Sequence, residues 1–314
     1  MGTWKGAPCP HILPPEDWEK NLWPGIRSES EHSLTRYIAG KIQPHTYKHH
    51  LTSSWVLCAN LYFPFRRSQR DMGILAAFLR EHVAPEIATV EGIELEFEGE
   101  GILHPSKLLG EIGGGRGMGQ TSPDAAFKVR TNRDGRGLIL TESKFTERWF
   151  GRCPAFRPHK KMGRRANPDS TRCLDVTGLL ASPKTQCHQH AWERRYWDHL
   201  TLDQSAVHTL RCCPAAFGGY QLFRQQALAE GIARSGQFDL VVSCVAYDER
   251  NEPLVRSLRG AGMNNFVDEW NRLFKGKAGF RTFTHQRWAA WVRKHDTLGR
   301  WADWSEYIRN RYGY

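Results

Sequence analysis

Two short stretches of the chain carry side chains that could act on an anionic substrate: Pro123-Asp124, and Glu142-Ser143-Lys144 further on. Two carboxylates that meet can position a divalent cation, which lowers the pKa of a bound water and neutralises oxygens as negative charge builds. An ammonium beside them can stabilise the same charge or hold the water in line. Phosphodiester cleavage has these needs, because the attacked group is already anionic. Glu-x-Lys alone is a common chance pattern on polar strands, so the elements that carry these residues decide the matter.

Those elements read as a hairpin, PDAAFKVRT and LILTESKF joined by NRDGRG. Asn132-Arg133-Asp134-Gly135 has the composition of a type I turn with glycine in the left-handed position, closing a three-residue loop with a bulge. Asn132 then faces Arg136 and Asp124 faces Lys144, while Glu142, two residues from Lys144, shares that face. The diagonal from Asp124 to Glu142 is roughly 7–8 Å between backbones, close enough to share an ion. A two-residue loop would turn Asp124 to the other face.

Around the hairpin, MGILAAFLREHVAPEIATV spaces Ile74, Leu75, Phe78, Leu79 and Val83 as a helix with one buried face. IELEFEGE alternates apolar and acidic residues over 93–100 like a half-buried strand. YQLFRQQALAEGIARS reads as helix and FDLVVSCVAY as buried strand, whereas SSWVLCANLYFPF reads as strand-like or buried. The order from Gly73 is helix, three strands, a long insertion, helix, strand. Residues 1–52 read as a wrapping arm with one helix near Ser30, 53–247 as the core with an insertion at 146–217, and 248–314 as a helical cap packed through Trp288, Trp291, Trp301 and Trp304.

The pair Pro123-Asp124 and Glu142-Ser143-Lys144 resembles the motif of the PD-(D/E)XK, restriction-endonuclease-like nucleases, and the segment order is similar to their α-β-β-β-α-β core. SSWVLCANLYFPF, KLLGE, RGMGQTSPDAAF, ESKFTERWF and YQLFRQQALAEGI resemble a branch of bacterial restriction endonucleases. The resemblance implies an α/β fold with a mixed central sheet, an inserted Cys/His-rich basic subdomain and a helical C-terminal cap. It implies that Asp124 and Glu142, with the carbonyl of Ser143, bind Mg²⁺ or Mn²⁺, and that Lys144 serves the water or the transition state. Glu81, from the first core helix, is the candidate for a further acidic ligand, with Glu98 and Glu111 competing. Gln221 and Gln225, one turn apart, are candidates for a glutamine that assists catalysis.

Three further features leave alternatives open. The run from Gly113 to Gly119 lacks a following Gly-Lys-Ser/Thr and misses the dinucleotide fingerprint at its last glycine, so it reads as a connector or as a clamp that sets Arg116 on a DNA phosphate. Cys153, Cys173, Cys187, Cys212 and His190 crowd into the insertion without a CxxC pair, which leaves structural zinc against free buried thiols. A basic run including Arg157, Lys160, Lys161, Arg164 and Arg165, interleaved with aromatics, reads as a nucleic-acid track or as a solvated face.

Composition agrees with a nucleic-acid partner: 44 Lys and Arg against 33 Asp and Glu give a net charge of +11. At 314 residues with 40% apolar content, the chain can bury a sizeable core. No apolar run suits a membrane span, and eight cysteines without regular spacing are a poor disulfide framework, so a reducing, cytoplasmic setting is expected. The resulting expectation is a Mg²⁺-dependent DNA endonuclease of restriction or anti-phage defence, of type II restriction-endonuclease character, with RNA as another possible substrate and a homodimer as one assembly. The rivals are a non-catalytic nucleic-acid-binding protein on the same fold and a transposon or repair nuclease.

Overall fold

The structure, a computed structural model, describes residues 1–43, 45–156 and 166–314. A small N-terminal ribbon pairs β1, Gly2–Trp4, with β2, Ala7–Cys9. Among the described residues the main sheet is mixed and five-stranded, in the order β3-β4-β5-β6-β7. Its strands are β3, Ile87–Leu95; β4, Ala125–Thr131; β5, Arg136–Lys144; β6, Leu240–Tyr247; and β7, Gly279–Thr284. The first three pair antiparallel and the last three parallel. The region expected to be a helical cap also supplies an edge strand.

The hairpin forms, with a loop one residue earlier than the turn composition suggested. Thr131 pairs with Gly135 across the loop, and Asp134, not Gly135, takes the left-handed conformation at φ 60°. A short polar side chain tolerates that conformation. Gly135 instead answers a close approach, since a Cβ there would lie 2.8 Å from Asp239 Oδ2. Ala125 consequently faces Thr141, and Asp124 comes alongside Glu142 instead of Lys144. The shift is two positions in the partner strand, so every side chain keeps its face.

Four helices matter to the site. SSWVLCANLYFPF is helical, not extended: α1, Ser54–Tyr62, is capped by Ser53 and buried along nearly its whole length. An unbroken apolar run of this kind gives no periodicity to separate helix from strand. α2, Gln69–His82, is the amphipathic helix foreseen, with Ser68 accepting from Asp71 N. α3, Tyr220–Arg234, covers the opposite face of the sheet. α4, His285–His295, follows β7 and carries Trp288.

Each face of the sheet has its own core. On one, Phe127, Ile139 and Cys244 meet α1, α2, Trp288, Trp301 and Trp304, together with Trp18 and Trp23 of the arm. On the other, Leu138, Leu140 and Val245 meet α3 and the insertion's Phe150, Tyr196, Trp197 and Leu200. The insertion thus shares a core with the sheet. A large buried side chain contributes about 1.5–3 kcal/mol, so this packing helps to hold the insertion on the sheet.

Candidate active site

The site lies where β3 ends, β4 begins and β5 ends. Asp124 precedes β4, and its Oδ2 accepts the Ser143 N–H at 2.7 Å, which joins the two halves of the motif. The Ser143 hydroxyl belongs to the opposite face, near the carbonyl of Ser54 and His285. Glu142 Oε1 receives Lys144 Nζ at 2.8 Å and the Gln221 amide at 2.9 Å. Asp124, Glu142 and Lys144 are all buried.

A third carboxylate enters from an unforeseen position. β3 stops at Leu95 because Glu96 adopts a left-handed backbone at φ 49°, rare for a non-glycine residue. Leu95 packs in one core and Phe97 in the other, although residues two apart on a regular strand share a face. Glu96 N and Phe97 N still bond to the carbonyls of Asp124 and Pro123. The irregularity keeps the ladder and turns the Glu96 carboxylate inward, to 2% exposure. The alternation in IELEFEGE places Glu96 with Glu94 and Glu98 on a solvated face, which is why sequence reasoning passed over it.

His45 completes the cluster from the arm. Its Nε2 lies 3.5 Å from Glu96 Oε1, and the ligand atoms of His45, Glu96 and Asp124 lie within 4.8 Å of one another. The ring stacks on Trp55 of α1 at 15° between planes. The glycine run supplies the seat for this segment: Gln43 N donates to the Arg116 carbonyl, and at Gly117 (φ 82°) a Cβ would lie 2.9 Å from the Gln43 carbonyl. A histidine 79 residues before Asp124 in sequence, next to no recognisable motif, carried no local signal.

The electrostatics of the cluster suit a cation. Burial, then the charges of Glu142 and Glu96, push the Asp124 carboxyl well above its ordinary range, against the pull of Lys144 and the Ser143 N–H. Burial also raises Glu96, with His45 opposing. For Lys144 burial favours the neutral amine, but Glu142, Glu147 and Asp124 outweigh it and hold the ammonium charged. Glu96 Oε1 is buried without a hydrogen-bond donor. Carboxylate oxygens crowded this closely, one of them unsatisfied, together with one imidazole, fit a divalent metal of the Mg²⁺ or Mn²⁺ kind.

The other candidates fall elsewhere. Glu81 is 61% exposed beside His82. Glu98 is taken by His104 and Gln120, and Glu111 by Thr121, Tyr196 and Arg224. Gln221 reaches the site, but Gln225 spends its amide on the carbonyls of Leu140 and Cys244 and on Ser243, fastening α3 to the sheet. Arg116 bonds the carbonyls of Leu95 and Glu96 and pairs with Glu94, so its guanidinium is occupied within the protein. Arg224, paired with the buried Glu111 at 3.0 Å, was not anticipated; it lines a cavity of about 60 Å³ with Gln120, Thr121, Gln221 and Glu142.

Among the described residues, His45, Glu96 and Asp124 form the group of donor atoms at metal-ligand spacing, while Cys153, Cys173, Cys187 and Cys213 lie near enough to raise one another's thiols. Burial pushes the Cys153 and Cys212 thiols up to about 11. Cys212 Sγ turns to the carbonyls of Cys213 and Gly260, and His190 is exposed. Arg157, Lys160, Lys161, Arg164 and Arg165 lie outside the described residues. Among the described residues no helix is long and apolar enough to cross a membrane.

A family model described as "Restriction Endonuclease associating with ARP" matches residues 2–313. The chain belongs to this REase-ARP family. The match takes in the arm that carries His45, the hairpin and the C-terminal strand alike, so the REase-ARP assignment covers every element that builds the site. No curated protein and no solved structure matches the chain.

Proposed function

We propose that this REase-ARP protein is a metal-dependent DNA endonuclease of the PD-(D/E)XK type, acting in restriction or defence. The observation that carries the reading is the meeting of His45, Glu96 and Asp124 within 4.8 Å, beside the Glu142–Lys144 pair. His45, Glu96 and Asp124 would hold Mg²⁺ or Mn²⁺, with Glu142 adjoining. The ion, when bound, supplies charge neutralisation and lowers the pKa of water. Lys144, held charged, faces the negative charge that develops on phosphate. Gln221 fixes the Glu142 carboxylate, leaving its second oxygen for the centre. In this reading residues 53–247 with β7 form the nuclease core, and the arm contributes a ligand as well as packing. The net charge of +11 supports a polyanionic substrate.

The test is incubation of the purified chain with supercoiled, linear and single-stranded DNA in Mg²⁺, Mn²⁺ or EDTA, alongside Asp124→Asn and Lys144→Ala. Metal-dependent products that disappear in both variants are expected. Products that survive both changes, or DNA binding with no cleavage in any metal, would overturn the reading, the latter in favour of a binding protein on a nuclease-like fold.

A further inference from the structure

The arm leaves two large aromatic side chains in water: Trp4 is 47% exposed and Tyr47 55%. They belong to one continuous surface, with ring centroids 6.2 Å apart and His50 within 5.7 Å of Trp4 and 4.9 Å of Tyr47. The surface is anchored. Gly2 N bonds the Ile12 carbonyl, Leu13 N the His49 carbonyl, and Leu51 N the His11 carbonyl, tying the β1–β2 ribbon to the segment that carries Tyr47. Trp18 supports that segment from below, with Lys48 Nζ 4.3 Å from its ring centroid.

Tyr47 is two residues from His45, so the two backbones are at most about 7 Å apart along the chain. Lys5, next to Trp4, is exposed. Exposed aromatic rings next in sequence to an exposed lysine, on a segment that also carries a candidate metal ligand, match one ligand chemistry: bases that stack while their backbone meets cations. Paired bases have their faces covered by their neighbours in the duplex, so a platform of this kind selects unpaired ones.

We propose that Trp4 and Tyr47 form a stacking platform for unpaired nucleobases, which makes single-stranded DNA, or a single-stranded segment of a larger DNA, the preferred substrate of the candidate centre. This rests on the nuclease reading for its biological use, but binding to the platform needs no cleavage and is measured separately.

The experiment is fluorescence anisotropy of the full chain in EDTA with a short labelled single strand and with the duplex of the same sequence, comparing wild type, Trp4→Ala/Tyr47→Ala and the ring-preserving Trp4→Phe/Tyr47→Phe. Loss of stacking at one or two bases predicts a Kd for the single strand at least about ten-fold weaker in the alanine variant. Duplex binding is expected to stay within two-fold, and the phenylalanine variant to restore the single-strand affinity. Single-strand binding unchanged in the alanine variant, an equal loss for duplex and single strand, or no rescue by phenylalanine would each overturn the proposal. Loss of cleavage in Asp124→Asn with single-strand binding intact separates the platform from the catalytic reading.

Discussion

His45 Nε2 stands 3.5 Å from Glu96 Oε1, so a residue of the N-terminal arm reaches the acidic cluster from outside the sheet. Imidazole is a better donor to Mn²⁺ than to Mg²⁺, which prefers oxygen. His45→Ala is expected to lower Mn²⁺-supported cleavage by at least about ten-fold, on the scale of perturbed ligand shells, and Mg²⁺-supported cleavage by less. Parallel titrations of initial rate against each metal check this. An equal loss in both metals, or none, would remove His45 from the ligand set.

Gln221 and Gln225 sit one turn apart on α3 and should separate cleanly in function. Gln221→Ala removes the donor to Glu142 Oε1 at the end of the sheet. Cleavage is expected to fall by roughly ten-fold with little change in melting temperature. Gln225→Ala strips a buried amide from Leu140 and Cys244, and should cost about 1–3 kcal/mol of stability. Thermal unfolding and cleavage rates measured on both variants give this crossed pattern or contradict it.

What the sequence disclosed, and what it hid, follows from how local each signal is. The convergence of Asp124, Glu142 and Lys144 was legible because a hairpin is a short-range element whose faces survive a small error in its loop. The turn placed Gly135 in the left-handed position and the structure places Asp134 there, yet the ionic residues stayed on one face. Glu96 was hidden by a backbone irregularity that period-two reading cannot register. His45 was hidden because its approach depends on the arm crossing Gly117, a long-range contact. The helix α1 passed for a strand because burial on all sides erases amphipathic periodicity.

Arg116 was one candidate for gripping a DNA phosphate, and its contacts give it a structural task. By bonding the carbonyls of Leu95 and Glu96 at 2.6 and 2.7 Å, it braces the left-handed turn that aims Glu96 inward. Arg116→Ala should therefore weaken metal binding and cleavage together, while the dependence of DNA affinity on salt keeps its slope. A phosphate contact would instead lower that slope by about one unit. Anisotropy titrations across salt concentrations distinguish the two.

Behind the Glu-x-Lys strand, His285 offers a test in which pH alone is the variable. Its Nε2 donates to the Lys144 carbonyl at 3.2 Å and its Nδ1 accepts from Tyr62, a neutral ring clamped between α1 and β5. Burial holds its pKa down to about 4, against an ordinary 6.5, although Asp248 pulls the other way. The unfolded chain thus takes up this proton first as pH falls. The stabilisation is full above 6.5, declines between 6.5 and 4, and levels off below 4. A displacement of that size corresponds to a loss on the order of 3 kcal/mol across the window. Denaturant unfolding at a series of pH values should show this slope in the wild type and a flatter profile in His285→Gln, which is less stable at neutral pH through its lost contacts. Equal slopes in the two proteins would mean that the ring already carries its proton in the folded state, and that another group sets the acid sensitivity.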